Sequence, residues 1–518
     1  MAGPGNRKSK GCARCRSLKS KCDEQRPKCG RCRTADAPCE YRPDKPIDFK
    51  SMNSKIASRY KVTEPRKEKK DSVRRGKAGL PDNDGQAALT SNIKVQQASK
   101  GPPLFHSLST HWEDPALCLF FQDYVLQADD AGFGFLDNFP KLYGTSSDEA
   151  FKNAVSAISL ASFSNQVRCV DLGVAAKKSY GKALLSVKKA LQDPSRSTSH
   201  ATLASILTLN MYDMVCEDIP PKVLWGSHAD ALGMILRMRG GIDQFKSPIS
   251  GATAQVAHGV VSCYNLDRRL PPGPESILWE KSVDAATCTP FEQIGLAYNR
   301  IARIIPAADT ALSDLQMGQE SAQRLLQAIS MCQVEDRAYR SWVASTEHPF
   351  VYETLDKSLF DASKDDRAAT LPPEIHVYPS VWAPGLWNTY RAARIVLLQT
   401  VSACIEKAAR HPELAKKFFN SSIMQQSILI DIDKMVNEIC SSIPYILGDI
   451  RGKTWAPKDA ERVKAWGGFT SLWVLRVLIG VPALGPERKE FVIKQLHYIA
   501  GKMGIRQAGN IALIGYYT

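Results

Sequence analysis

The segment from Cys12 to Cys39 constrains this chain more than any other, because six cysteines fall there at a regular spacing. The pattern C-x2-C-x6-C is followed by a six-residue loop and then by the same pattern, so the first three cysteines recur seventeen residues later. Thiols this close together in a lysine-rich segment are typical of structural metal ligands. The predicted ligands are Cys12, Cys15, Cys22, Cys29, Cys32 and Cys39.

The number of cysteines predicts how many metal ions the segment holds. A structural zinc ion takes four ligands in a tetrahedron. Two separate tetrahedra would need eight thiolates, so six thiolates complete two sites only if two of them bind both ions. The repeat makes Cys12 and Cys29 equivalent positions, and they are the expected bridges. The predicted cofactor is therefore a pair of Zn²⁺ ions.

Two other uses of the cysteines fit the sequence less well. A disulfide framework is typical of small secreted proteins, but the N-terminal MAGPGNRKSK is basic and no hydrophobic stretch comes after it to indicate a signal peptide. A zinc ribbon or a metal-storage segment needs neither the repeat nor this placement of lysines. The spacing favours a zinc cluster.

Basic residues surround the cysteines and outnumber the net charge of −2 that two Zn²⁺ ions and six thiolates would carry. Such basicity favours the thiolate form and leaves an outer face that attracts phosphate. These residues are Arg14, Arg16, Lys19, Lys21, Arg26, Lys28, Arg31 and Arg33.

This segment resembles the fungal binuclear zinc cluster, the Zn(2)-C6 DNA-binding domain of fungal transcription regulators, in its six cysteines, its basic residues and Pro27. The resemblance implies that each half is a short helix with an extended piece, and that one helix enters the major groove. It implies that Lys19, four residues after the second cysteine, reads the guanines of a CGG triplet through O6 and N7. Arg16 and Lys21 are expected to hold neighbouring phosphates, and Arg14 belongs to the same predicted DNA-binding set.

The second half of the repeat departs from the family pattern. Asp36 stands where the repeat would place the counterpart of Lys19, and Pro38 where it would place that of Lys21. A carboxylate at this position would repel phosphate. Only the first half is therefore expected to read bases.

The charge of the chain is concentrated at one end. Of 518 residues, the first hundred contain 26 Lys and Arg against 11 Asp and Glu, whereas residues 101–518 contain 42 of each. The whole formal charge of +15 therefore lies on the N-terminal hundred residues, which include the zinc segment. This distribution indicates a nucleic-acid-binding end attached to a neutral body.

Composition divides the chain into the zinc segment at 10–42, whose resemblance implies a DNA-binding domain, a basic disordered linker at 43–103 and an α-helical body at 104–518. Two basic clusters within 66–77 indicate a nuclear-import signal, additional phosphate contacts or a solvated charge run. The linker sustains no heptad pattern over three heptads, so dimerisation through it is doubtful. Binding as a monomer and dimerisation through the body both stay open.

The remaining features predict an intracellular location. The other eight cysteines are isolated from one another, and no apolar run reaches the length of a membrane span. Together with the basic clusters they indicate a nuclear protein that does not contact a membrane.

The body is predicted to be all-α, because its apolar residues recur mostly at helical spacing. The segment from His200 to Cys216 is apolar nearly all round and is expected to be a central helix. Irregular, proline-rich connections are expected around 271–290 and 344–385. The other predicted helices are 116–128, 148–164, 169–191, 223–239 (stopped by Gly240 and Gly241), 291–304, 318–332, 386–410, 423–442, 460–479 and 486–503.

Three stretches of the body resemble the fungal-specific transcription factor regulatory domain. They are WGSHADALGMILRMRGG at 225–241, EICSSIPYILG at 438–448 and ERKEFVIKQLHYIAGKMGIRQA at 487–508. The resemblance implies a helical regulatory module and not an enzyme.

Motifs for catalysis are weak in the body. The segment 448–454 (GDIRGKT) has three residues between its glycines, where a phosphate-binding P-loop has four. Neither HExxH nor GxSxG occurs. Asp431 and Asp433 are two residues apart on a predicted helix and so point to different faces, and His228 is expected to be a core or surface residue. No catalytic residue is predicted.

Two further patterns each have two interpretations. The segment 129–139 (DDAGFGFLDNF) interleaves acidic and aromatic residues. This pattern indicates either an activation segment or a turn with buried aromatic residues. A set of methionines at helical spacing indicates either core packing or the lining of a site for a small apolar effector. This set is Met211, Met214, Met234 and Met238.

The sequence therefore predicts a zinc-dependent, sequence-specific DNA-binding transcription factor that regulates RNA polymerase II transcription in the nucleus. Its expected partners are double-stranded DNA with CGG-containing sites, transcription co-regulators and a small-molecule effector. The alternative is a ligand-sensing or co-regulator interaction protein in which the zinc cluster contributes only non-specific DNA affinity.

Overall fold

Helices form most of the secondary structure in the part of the chain that the computed structural model describes. The described residues are 12–18, 20, 22–23, 28–40, 112–127, 134–216, 228–284, 286–314, 316, 318–345, 351–360, 370–451, 453–455 and 464–517. The chain divides into two units, Met1–Gly101 and Pro102–Thr518. The predicted linker at 43–103 and its basic clusters lie outside the described residues.

Two short helices in the first unit follow the repeat of the sequence. Helix α1 (Ala13–Ser17) and helix α2 (Gly30–Thr34) are each five residues long and are separated by the same seventeen-residue offset as the cysteines. Each begins directly after the first cysteine of its half.

The described part of the second unit is helical, and the all-α prediction is confirmed. Its helices are α3 (Glu113–Tyr124), α4 (Phe139–Thr145), α5 (Glu149–Val167), α6 (Val170–Gln192), α7 (His200–Val215), α8 (His228–Arg239), α9 (Asp243–Lys246), α10 (Gly251–Asp267), α11 (Pro274–Ser282), α12 (Pro290–Ser313), α13 (Gln319–Ser345), α14 (Ala383–Arg410), α15 (Ser421–Ile446), α16 (Ala465–Ile479), α17 (Pro486–Lys502) and α18 (Gln507–Tyr517).

Two small antiparallel hairpins interrupt the helices. Strand β1 (Glu353–Asp356) pairs with β2 (Glu374–Val377), with Glu353 opposite Val377. Strand β3 (Ile450–Arg451) pairs with β4 (Thr454–Trp455). No described helix is both long enough and apolar enough to cross a membrane.

Side-chain caps explain where several helices begin. The Asp148 carboxylate accepts hydrogen bonds from the N–H groups of Ala150 and Phe151 at the start of α5. At the start of α12, Thr289 and Glu292 form a reciprocal capping box around the helix start. These contacts satisfy backbone donors that the first helical turn leaves unpaired.

Helix α7 is the central element of the second unit, as its apolar sequence predicts. Nearly all of its side chains are buried, and it packs against α5, α8, α6 and α10. Its buried Thr208 hydroxyl finds a partner within the helix, since it donates to the Ala204 carbonyl at 2.7 Å. Helix α5 in turn packs against α6 and α3, so these helices form one layered core.

The sequence predictions differ from the structure at several helices. Helix α3 ends at Tyr124 because Val125 and Leu126 are extended and Leu126 pairs with Phe135. The sequence does not predict helix α10, because GATAQVAHGVVSCYNLD mixes glycine and β-branched residues, whose helix propensity is low. This helix is stabilised instead by packing against α8, α9 and α12.

Both connections that are expected to be irregular contain regular structure. Helix α11 begins at Pro274 within 271–290, and the β1–β2 hairpin lies within 344–385. Proline at a first helical position is compatible with a helix because its missing N–H has no partner there. Helix α8 ends as predicted, with Gly240 and Gly241 at positive φ.

Buried arginines tie three consecutive long helices together. Arg394 on α14 contacts Asp336 on α13 at 2.6 Å and Asp431 on α15 at 2.7 Å. One turn earlier, Arg391 is fully buried and contacts Glu438 on α15 at 2.9 Å. These pairs set the register between α13, α14 and α15.

Arg391 lies in an aromatic enclosure. Its guanidinium carbon is 5.2 Å from the Tyr352 ring centre and 5.4 Å from the Trp387 ring centre. Burial opposes its charge, but Tyr378, Glu438 and Tyr352 raise its pKa overall, so the side chain stays protonated. The Glu438 carboxylate supplies the counter-charge.

The substitution Glu438→Gln is expected to destabilise the second unit by about 3 kcal/mol, because it leaves a buried guanidinium without a counter-charge. Urea unfolding followed by circular dichroism measures the change. The matched control is Glu406→Gln, which breaks an exposed pair with Arg410 and should cost at most about 0.5 kcal/mol. Equal losses in the two variants would contradict this role of Glu438.

Acid should destabilise the second unit through His258. Its ring is 2% exposed, stacks on Trp279 at 4.3 Å, and burial lowers its pKa to about 3. The unfolded chain takes up a proton near pH 6.5 and the folded chain does not, so stability falls as pH drops from about 6.5 toward 3. By pH 5 this single histidine should cost about 2 kcal/mol.

The test of this pH dependence is His258→Phe, which keeps an aromatic ring against Trp279 and removes the titrating group. Urea unfolding at pH 7.5 and pH 5.0 should show a smaller loss of stability on acidification in the variant than in the wild type. Any change in packing caused by the substitution alters the free energy of unfolding equally at both pH values, so it does not affect the difference between them. An unchanged loss between the two pH values would assign the acid sensitivity to other groups.

Candidate metal centre

The four buried side chains among the described residues of the first unit are Cys12, Cys15, Cys29 and Cys32. Their sulfur atoms all lie within 4.8 Å of one another. Cys22 and Cys39 are partly buried against them. The structure therefore gathers all six predicted ligands into one cluster, which takes the place of a hydrophobic core in this unit.

The spacing of the sulfur atoms fits zinc coordination. The Sγ atom of Cys12 is 3.8 Å from that of Cys29 and 3.7 Å from that of Cys32, and the Sγ atom of Cys15 is 3.7 Å from that of Cys29. A tetrahedron with Zn–S bonds of about 2.3 Å has edges of roughly 3.8 Å. The two sulfur atoms of a disulfide are bonded at about 2.05 Å, which is much shorter than these distances. The cysteines are therefore spaced as ligands of a common ion and not as oxidised pairs.

Cys12 and Cys29 occupy the middle of the cluster. Cys12 contacts Cys32 of the other half of the repeat, and Cys29 contacts Cys15 of the other half. The Sγ atom of Cys29 also lies close to that of Cys22. These are the two positions that the repeat makes equivalent.

Backbone N–H groups point at the sulfur atoms in both halves. The N–H of Cys15 donates to Cys12 Sγ, and the N–H of Cys32 donates to Cys29 Sγ, each at 3.4 Å. The N–H of Cys29 donates to Cys39 Sγ at 3.3 Å. Such donors stabilise negative charge on the sulfur atoms and orient them toward a metal.

Two further contacts close the unit. The N–H of Ala13 donates to the Glu40 carbonyl at 2.7 Å, which joins the two ends of the cluster segment. The N–H of Gly30 donates to the Asp23 carboxylate at 2.8 Å. A Cβ atom at Gly30 would lie only 2.6 Å from that carboxylate oxygen, so glycine permits the approach.

The electrostatics of the cluster require a cation. The Cys15 N–H favours the Cys12 thiolate, but burial and the neighbouring thiols raise the pKa of Cys12 to about 12. Burial also acts to raise the pKa of Cys32, but hydrogen bonds from Cys29, Cys12 and Arg14 lower it overall. Buried sulfurs this close to one another become thiolates together only if a metal ion compensates their charge.

The predicted DNA-binding residues are only partly described. Arg14 is half-buried on α1 and hydrogen-bonds to Cys32, so its charge acts on the cluster itself. The backbone of Arg16 belongs to α1, but its side chain lies outside the described residues. Lys19 and Lys21 also lie outside them, and the DNA-contacting roles of all four residues stay predictions.

In the second half of the repeat, Asp36 is exposed and its carboxylate lies 3.7 Å from the Lys28 ammonium group. It follows α2 with a positive φ of 39°, so the chain turns away from the helix at this point. An acidic side chain at the surface of this half would oppose the approach of phosphate.

The weak catalytic motifs of the body form no site in the described residues. The P-loop-like segment contains strand β3 and the start of strand β4, whereas a P-loop precedes a helix. Asp431 pairs with Arg394 and Asp433 pairs with Arg488, so the two carboxylates serve different contacts.

His228, Met211 and Met214 make packing contacts. His228 begins α8 and lies 3.0 Å from the Tyr180 hydroxyl, and burial lowers its pKa to about 4. Met211 and Met214 are buried in the core, whereas Met238 is 44% exposed. A cavity of about 270 Å³ between α12 and α13 is lined by Arg300, Tyr339 and Trp342 among others, and not by these methionines.

Comparison with known proteins agrees with this geometry. A family model described as the fungal Zn(2)-Cys(6) binuclear cluster domain matches residues 10–46, and one described as the fungal specific transcription factor domain matches residues 147–262. The second match spans α5 to most of α10 and includes the central helix α7. No solved structure matches the chain.

A curated relative, transcription factor dbaG of Emericella nidulans, is 21% identical over 428 residues, which cover 77% of this chain and 91% of the relative. The alignment therefore extends well beyond the zinc segment. The cluster binds zinc, and the family implies DNA binding and a nuclear location. The cysteine geometry, the two domain matches and this relative together support a Zn(2)-C6 transcription factor, with a binuclear cluster domain at residues 10–46 and a segment similar to the fungal specific transcription factor domain at 147–262.

Proposed function

We propose that the cluster holds two Zn²⁺ ions and that it reads CGG-containing DNA through Lys19 to regulate RNA polymerase II transcription. The observation that supports two ions is the central position of Cys12 and Cys29. Each contacts two sulfurs of the opposite half within 3.8 Å, because Cys12 lies next to Cys29 and Cys32, and Cys29 lies next to Cys12 and Cys15, as expected of a ligand shared by both ions. Cys15 and Cys22 would complete the ligand set of one ion, and Cys32 and Cys39 would complete that of the other.

The ions would act as the core of the DNA-binding unit. Zinc converts the thiols to thiolates and fixes the relative positions of α1 and α2. Held in this way, α1 could enter the major groove. Asp36 in the second half supports a reader that uses α1 and not α2.

The zinc content of purified variants tests the two-ion arrangement. Wild-type protein should contain two zinc ions per chain by elemental analysis, and Cys12→Ser should lose both because it removes a shared ligand. The matched control Cys39→Ser removes a ligand of one ion and should keep about one ion per chain. One ion in the wild type, or equal losses in the two variants, would contradict the shared-ligand arrangement.

Sequence specificity is proposed to reside in Lys19. A lysine that contacts guanine O6 and N7 discriminates the base by about 1–3 kcal/mol. The surrounding Arg16 and Lys21 would contribute affinity that falls steeply with salt, because phosphate contacts release counterions.

Fluorescence anisotropy of the full chain with labelled duplexes tests this reader. Wild-type protein should prefer a CGG duplex over a scrambled one by about 10-fold or more, and Lys19→Ala should abolish that preference. The matched control Lys28→Ala removes the same charge from a residue that pairs with Asp36, and should weaken binding to both duplexes equally. A preference that survives Lys19→Ala would contradict the proposal.

The alternative function predicts a different result in the same experiment. If the cluster supplied only non-specific affinity, the wild type would bind both duplexes equally and with the same salt dependence. The regulatory domain would then carry the function through co-regulators or a small-molecule effector. Chelation of zinc separates the two cases further, because it should abolish only binding that depends on the folded cluster.

A further inference from the structure

The two halves of the zinc segment close on each other at equivalent positions. The N–H of Ala13, which begins α1, donates to the backbone carbonyl of Glu40 at 2.7 Å. The N–H of Gly30, which begins α2, donates to the carboxylate of Asp23 at 2.8 Å. Each donor follows the first cysteine of one half and each acceptor follows the third cysteine of the other half, so the seventeen-residue offset of the repeat relates the two contacts.

The two contacts differ in the kind of acceptor. At the start of α1 the acceptor is a backbone carbonyl, which any residue at position 40 provides. At the start of α2 the acceptor is a side-chain carboxylate, which depends on the residue at position 23. The closure of α2 therefore rests on one side chain, whereas the closure of α1 rests on the course of the backbone.

Asp23 lies beside the cysteines of the cluster. One of its carboxylate oxygens and the Sγ atoms of Cys22 and Cys29 all lie within 4.8 Å of one another. Cys29 directly precedes α2, and its sulfur accepts a hydrogen bond from the N–H of Cys32 in the first turn. A carboxylate that holds the first N–H of α2 therefore also holds the backbone next to Cys29, and with it the direction in which this sulfur points.

The glycine at position 30 belongs to the same contact. A Cβ atom there would lie 2.6 Å from Asp23 Oδ2, the oxygen that accepts the Gly30 hydrogen bond. An alanine would therefore push the carboxylate away from the N–H and open the contact. The equivalent position of the first half is Ala13, so a Cβ atom is compatible with closure by a backbone carbonyl.

We propose that Asp23 is a positioning residue of the zinc cluster, whose contact with Gly30 slows the escape of zinc from the ligands around the start of α2. Without this contact the first turn of α2 would separate more often from the first half. Cys29 would move with it, and a sulfur that moves away from its ion more often releases that ion faster. This role depends neither on the number of ions nor on the DNA sequence that the cluster reads.

The rate at which the full chain transfers zinc to an excess of a chromogenic chelator tests this role. Asp23→Ala should release zinc about 5-fold faster than the wild type, because it loses a charge-assisted hydrogen bond. Asp23→Asn keeps an oxygen that can accept from the Gly30 N–H, so its rate should stay within about 2-fold of the wild type. Glu40→Ala removes the same charge at the equivalent exposed position but keeps the carbonyl contact with Ala13, and should also stay within about 2-fold.

A double-mutant cycle separates the Asp23–Gly30 contact from general damage to the unit. Gly30→Ala alone should speed zinc release about as much as Asp23→Ala does, because each substitution opens the same contact. In the Asp23→Ala background the carboxylate is absent and the added methyl group meets no clash, so Gly30→Ala should cause no further acceleration. Effects that multiply in the double variant would show that the two residues act independently.

The zinc content of the purified variants distinguishes a positioning residue from a metal ligand. By elemental analysis Asp23→Ala should contain as much zinc per chain as the wild type, whereas the loss of a ligand would lower the content. A lower content would make Asp23 a ligand and overturn the positioning role. An unchanged release rate in Asp23→Ala would also overturn it, as would a rate for Asp23→Asn as fast as that of Asp23→Ala.

Discussion

Tetrahedral coordination by thiolates is the constraint on which the DNA-binding unit depends. In most small domains an apolar core provides the stability, but in this unit the buried side chains among the described residues are four cysteines. Their sulfurs are spaced at about the edge of a zinc tetrahedron and accept hydrogen bonds from backbone N–H groups. Zinc therefore supplies the cohesion that so short a segment cannot obtain from hydrophobic burial.

This constraint also explains why two helices of only five residues can persist. Isolated helices of that length are not stable in water, because the cost of nucleation exceeds the few hydrogen bonds gained. Here each helix begins directly after a cysteine whose sulfur accepts a hydrogen bond from an N–H group of the first turn, so the cysteine caps the helix. The same arrangement connects metal binding to DNA recognition, because loss of zinc would release both helices.

The second unit, Pro102–Thr518, is stabilised by different means. Its core is a continuous apolar cluster around α7, and its long helices are held in register by buried ion pairs that involve Arg391 and Arg394. A buried guanidinium is costly without a counter-charge, so these pairs favour one arrangement of α13, α14 and α15 over its alternatives. The first half of α15 extends beyond this network and leaves an uncharged apolar face at the surface.

The sequence by itself predicted the six cysteines that cluster, the resemblance to Zn(2)-C6 regulators and the helical character of the body. Cysteine spacing specifies ligand number directly, and helical periodicity of apolar residues identifies α5, α6, α7 and α14 without any tertiary information. The apolar periodicity does not reveal α10, because many of its residues have low helix propensity and become helical only when neighbouring helices bury them. It also missed α11 and the β1–β2 hairpin, because prolines and short polar runs look alike in loops and in capped elements.

Only the tertiary structure decided which residues meet across long distances in the chain. Nothing in the local sequence indicates that Arg391 contacts Glu438 and lies between Tyr352 and Trp387, since these contacts join separate segments of the chain. Likewise, the pattern of 419–430 is that of an ordinary buried helix face, and its exposure emerges only when the surrounding helices are in place. Periodicity reports that a face is apolar, whereas the packing of the rest of the chain decides whether that face is covered.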